Sequence, residues 1–130
     1  MTTHQLPRSD DQLRVVALEV ADDLGDVATV RAWADRLLAD LPDDRRRVAV
    51  WVAEELVTNA LLHGEPPRQV RLLRRPGWLC VEVDDGCLDT ACVRRSGGGG
   101  LRAVAAVSVT WGQWQRSTGK TVWAEIVTPV

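Results

Sequence analysis

The chain has no phenylalanine, no tyrosine, one methionine and three cysteines. Tryptophan alone supplies the aromatic content, at positions 33, 51, 78, 111, 114 and 123, and its plain meaning is core filler. Cys80, Cys87 and Cys92 are odd in number, with six and four residues between them. That pattern fits neither a paired disulfide framework nor a CxxC zinc half-site, so reduced thiols are the expectation. An excess of one charge is also missing: 16 basic and 18 acidic residues leave a formal net charge of −2. A nucleic-acid binder relying on phosphate contacts needs a basic excess, so direct nucleic-acid binding is disfavoured. The stretch 1–12 is polar and broken by Pro7, unlike the apolar core of a signal peptide, and no later apolar run reaches membrane-spanning length. A soluble, cytoplasmic protein with no membrane partner is expected.

What is present suits one domain. A chain of 130 residues can bury a core without staples, and the sequence reads as a disordered-looking tail over 1–12 followed by a single domain over 13–130. Val and Leu over 13–20 suit a first strand. Apolar residues recur at helical spacing over 26–41, with Asp26 as a possible N-cap and Pro42 as the stop. A second helix is capped by Asp43 and carries Val48, Val52, Leu56 and Ala60 in a line, ending at Gly64 before Pro66-Pro67. Strands over 70–74 and 78–84 flank a Pro76-Gly77 turn, with Leu79, Val81 and Val83 on one face. A polar loop over 85–96 leads through the glycine run 97–100 into a third helix, reaching about Val107, and a hairpin pairs 109–115 with 121–127. The order predicts an α+β two-layer sandwich: a mixed, mostly antiparallel sheet of about five strands with three helices on one face.

Three polar features stand out. Glu55, Asn59 and His63 are four apart and stack along one helix face, beside the apolar line. Asp84-Asp85-Gly86 ends a strand, where a carboxylate can accept from the exocyclic amine of a base and glycine lets backbone pass close to a ring. The run Gly97-Gly98-Gly99-Gly100-Leu101 opens a helix, where free backbone amides suit a phosphate. Taken singly, each has an ordinary meaning as an exposed helix face, a turn or a flexible connection.

Their order is more specific. The stretch Glu55 to Gly64 resembles the N-box of the GHKL (Bergerat-fold) ATPases, Asp84-Asp85-Gly86 the first glycine box, and Gly98-Gly99-Gly100-Leu101 the second. Gly119-Lys120-Thr121-Val122-Trp123-Ala124-Glu125 is similar to the last strand of the anti-sigma regulatory factor and serine-kinase branch. The resemblance implies a Bergerat fold binding ATP or ADP with Mg²⁺. Asn59 would hold the metal and the nucleotide, Glu55 would be the catalytic base, and Asp84 would select adenine with support from Thr121. Gly86, Gly98, Gly100 and Leu101 would close backbone around the nucleotide. It further implies partners, namely a sigma factor and an anti-sigma-factor antagonist protein phosphorylated on serine, and a homodimer. A sensor or partner-switching module that binds nucleotide without phosphotransfer is the alternative. The catalytic half of a histidine kinase ranks lower, since no helical segment with a phosphoacceptor histidine precedes the domain. Against the family pattern, only the ten residues 87–96 separate Gly86 from Gly97, Cys87 replaces a glycine, and Arg94 and Arg95 lie in this short lid.

Overall fold

The structure is a computed structural model that describes residues 13–21, 23–88 and 99–129. Along the chain run β1 (Arg14–Val20), α1 (Asp26–Leu37), α2 (Asp43–His63), β2 (Arg68–Arg75), β3 (Trp78–Asp85), α3 (Gly99–Val107), β4 (Thr110–Arg116) and β5 (Gly119–Val127). The strands form one sheet in the order β1-β2-β3-β5-β4.

Every strand pairing is antiparallel, so the expected mixed sheet is corrected to an antiparallel one. The cause is the number of helices between strands. Two successive helices, α1 running back and α2 forward, separate β1 from β2 and return the chain to the end where β1 finished. Only α3 separates β3 from β4, which makes those two strands parallel in direction, but β5 lies between them and opposes both.

Helix α1 stops at Leu37, short of the expected Leu41, because Leu38 leaves the helical region while its amide still bonds Ala34 O at 2.9 Å. Asp26 is not its N-cap; Gly25 holds that position, and the Asp26 carboxylate accepts from the Ala21 amide at 2.7 Å. Likewise Pro42, not Asp43, precedes the first turn of α2, where Asp43 and Asp44 oppose the positive end of the helix dipole. Helix α2 does end at Gly64, whose amide bonds Ala60 O at 3.0 Å.

One apolar stripe of α2, through Val52, Ala53, Leu56 and Ala60, is buried against the sheet. Val81, Val83, Val122 and Ala124 meet it from β3 and β5, and Val30, Ala34 and Val104 join from α1 and α3. Burying a side chain such as Leu56 contributes about 1.5–3 kcal/mol. The opposite sheet face carries no described helix and holds a charged cluster, in which Arg71 pairs with Glu82 at 3.0 Å and Asp84 at 2.6 Å. On that face Trp114 and Trp123 lie with ring centroids 5.7 Å apart, and Gly112 leaves room for the Trp123 ring.

The cysteines divide. Cys80 is a free, buried thiol on β3, pushed up to about 12 by burial and the nearby Glu82 and Glu125 carboxylates. Cys87, past the far end of the same strand, is disulfide-bonded, which corrects the expectation of reduced thiols there. No described helix is long and apolar enough to cross a membrane.

Candidate functional site

At one end of the sheet, the last turn of α2, the end of β3 and the start of β5 converge. Gly64 is the contact point: a Cβ built on it would stand 2.5 Å from the Asp85 carboxyl carbon. Arg68, buried at the start of β2, clamps the same corner by donating to Ala60 O at 2.7 Å and Gly64 O at 3.0 Å. The helix thereby has two of its final carbonyls satisfied by a guanidinium, as its unpaired C-terminal groups require.

Glu55 and Asn59 lie one turn apart on α2. Glu55 is half-buried and makes no hydrogen bond or ion pair with any described residue. The amide nitrogen of Asn59 is buried without a partner. Such groups are uncommon in folded proteins and mark a place where another group fits. Glu54 differs from its neighbour, since Arg31 donates to it at 2.6 Å and 2.9 Å. The Arg31 guanidinium, hydrogen-bonded to that carboxylate, is held above its ordinary pKa.

Strand parity separates the two aspartates. Val81 and Val83 belong to the core under α2, so Asp85 shares their face and Asp84 points the other way. Asp84 accepts from Arg71 at 2.6 Å and 2.8 Å and from the Thr121 hydroxyl at 2.7 Å. Arg116 completes the group by donating to Thr121 at 2.8 Å. Burial pushes the Asp84 carboxyl up, but the bonds from Arg71 and Thr121 and the adjacent positive charges outweigh it, and its pKa is lowered. Asp84 and Thr121 thus meet, as expected of them, but on the face away from Glu55 and Asn59.

The carboxylate on the helix side is Asp85. Lys120 donates to its Oδ2 at 2.6 Å, both side chains being 1% exposed, and the Cys87 amide donates to its Oδ1 at 2.8 Å. Lys120 stands opposite Asp85 in the β3–β5 register, one residue before Thr121. Sequence reasoning passed over both residues, although the alternation of Leu79, Val81 and Val83 extends to Asp85.

Gly86 is packed tightly, but against its own chain: a Cβ there would collide with the Pro66 carbonyl, and its amide bonds Glu65 O at 2.6 Å. Gly100 and Leu101 fall in the first turn of α3. Gly97, Gly98, Arg94 and Arg95 lie outside the described residues.

A cavity of about 670 Å³ opens at the opposite end of the sheet, beside the Pro76-Gly77 turn. Arg14, Arg74, Arg75 and Asp40 line it, with none of the expected site residues. The Asp40 carboxyl is held low there by the Arg74 guanidinium, at 2.8 Å and 2.9 Å. Its volume alone assigns it no chemistry, whereas the Glu55–Asn59 corner has unpaired polar groups.

No protein-family model matches the chain, and no curated protein matches its sequence.

Proposed function

We propose that this chain is an ATP-binding, anti-sigma-factor-like regulatory domain of the GHKL type, acting in the cytoplasm. Its nucleotide would lie between α2, the end of β3 and the start of α3. The observation that carries this reading is the pairing of an unengaged Glu55 with the unpartnered buried amide of Asn59, one turn apart. Both sit on the helix whose sequence resembles the N-box.

The side-chain oxygens of Glu55 and Asn59 are of the type that Mg²⁺ takes, while the unpartnered Asn59 nitrogen is a donor suited to a phosphate oxygen. This ion takes hard oxygen ligands and is commonly held by one or two protein groups together with substrate phosphates. Among the described residues there is no cluster of three potential metal ligands of the His, Cys, Asp or Glu type, so an all-protein cage is not what the corner offers. Asn59 would hold the ion through its side-chain oxygen, and the ion would neutralise charge on the β- and γ-phosphates. Glu55 would accept the proton of a serine hydroxyl on an antagonist protein. The serine oxygen bonds to the γ-phosphorus as the bond to the bridging oxygen breaks, and ADP leaves. Strand parity favours Asp85 over its neighbour Asp84 as the carboxylate that would face the base.

A second reading keeps the nucleotide but not the transfer: a sensor that switches between a sigma factor and its antagonist. The internal engagement of both Asp85 oxygens favours it, because the site is not simply open to a base.

Titration calorimetry with ATP and GTP, with and without Mg²⁺, tests nucleotide binding. ATP should bind more tightly than GTP, and Asn59→Ala should abolish the effect of Mg²⁺; no nucleotide binding under any condition sinks the reading. γ-labelled ATP with candidate antagonist proteins separates the kinase from the sensor.

A further inference from the structure

Lys120 heads the fully buried side chains of the described residues by size, and it carries a charge. An ammonium removed from water needs an anionic partner, and Asp85 is the one it has. The remaining carboxylate oxygen is taken by the Cys87 amide. Backbone closes on the carboxylate at Gly64, where an added Cβ would collide with it, and Gly119 packs in the same way against the Asp85 main-chain carbonyl. Gly119 has φ +151°, a conformation that only glycine adopts without strain. Among the described side chains, Lys120 is the one that bonds the Asp85 carboxylate, Arg116 reaching its main-chain oxygen at 3.2 Å, and Lys120 stands beside the turn of the β4–β5 hairpin, at the end of the sheet.

We infer that Lys120 is an internal occupant of the position on Asp85 that a ligand amine would take, and so lowers nucleotide affinity at this site, while the Asp85 carboxylate itself selects the base. The inference rests on the nucleotide reading given above. Binding of an adenine nucleotide and the Asp85–Lys120 pair exclude one another: the base amine replaces the ammonium on Oδ2, and the lysine stem swings out to water. A ligand must return a donor to Asp85 to complete the exchange. Adenine has one at that position; guanine presents a carbonyl there and leaves the carboxylate facing an acceptor. The cost of expelling Lys120 is subtracted from ATP affinity, and GTP is refused with or without the lysine.

The test compares the full chain with Lys120→Met and Lys120→Arg by calorimetric titration of Mg-ATP and Mg-GTP, each variant first checked for folding by circular dichroism. Lys120→Met should bind ATP about tenfold more tightly or better, as losing a charged hydrogen-bonded competitor implies, with GTP still excluded and Lys120→Arg close to the parent. If a folded Lys120→Met binds ATP no more tightly than the parent, the inference is overturned while nucleotide binding stands. If neither protein binds ATP, the nucleotide reading falls and takes the inference with it. Should Lys120→Met not fold, the parent carrying ¹⁵N-lysine is titrated with ATP. The protected Nζ signal should disappear on saturation, and its persistence would overturn the inference.

Discussion

Asp84 and Asp85 are consecutive residues whose carboxylates serve opposite faces of one sheet. Asp85 is closed in by Lys120 beneath α2, and Asp84 is held in a two-pronged grip by Arg71 on the uncovered face. Equal side chains therefore answer to different perturbations.

For Asp84 the perturbation is acid. Its pKa is lowered from 3.8, so its contribution is complete above that value and is lost as pH falls through the lower folded value. Asp84→Asn should cost about 1 kcal/mol near neutrality, a figure kept small because the group is partly solvated. Urea melts of parent and variant should converge in acid below about pH 4. A gap independent of pH would show that the carboxylate charge is not what Arg71 uses.

At Gly64 the issue is contact. The residue has φ −99°, which any amino acid adopts, yet a Cβ would lie 2.5 Å from Asp85 Cγ and 2.8 Å from Ala60 O. Gly64→Ala should lose about 1–3 kcal/mol by overpacking. Combining it with Asp85→Gly should recover part of that loss in a double-mutant cycle, and strict additivity would refute the contact as the cause.

Arg68 should matter locally. Arg68→Met removes the donors to Ala60 O and Gly64 O, costing about 1.5–3 kcal/mol. Hydrogen exchange should quicken at Ala60–Gly64 and not at Ala49–Val52; uniform acceleration would mean that the residue supports the whole domain instead.

Glu54 and Glu55 form a natural control pair. Glu55→Gln should leave stability within about 0.5 kcal/mol and Mg-ATP affinity near that of the parent, while lowering phosphotransfer about a hundredfold or more. Glu54→Gln loses the Arg31 pair, which is solvent-screened at an exposed guanidinium, and should keep transfer. The reverse pattern would move the base to Glu54.

Much of the architecture was legible in the chain. The apolar line of α2 and its glycine stop are local patterns, and the alternation of Leu79, Val81 and Val83 fixes a buried face. Harder to read was where α1 ends, because Leu38 and Leu41 stay buried after the helix has stopped and prolong the apolar periodicity. Which of the two aspartates lies on the helix side was also hard to read, because a motif matched by letters ignores strand parity, which puts Asp85 there. Lys120 stood out only as a letter in the Gly119–Glu125 strand resemblance, since its burial depends on a partner 35 residues away in sequence. The state of Cys87 was invisible because spacing alone says nothing of which sulfurs meet.

The contact between Trp114 and Trp123 has an optical consequence. Without tyrosine, the near-ultraviolet emission of this protein belongs to indole alone. Two indoles 5.7 Å apart at an interplanar angle of 39° couple as transition dipoles and split their far-ultraviolet absorption into bands of opposite rotational sign. That couplet overlies the amide signal, so helix content read from ellipticity would be skewed. The same couplet serves as a built-in reporter of the β4–β5 hairpin, because it vanishes once the two strands separate.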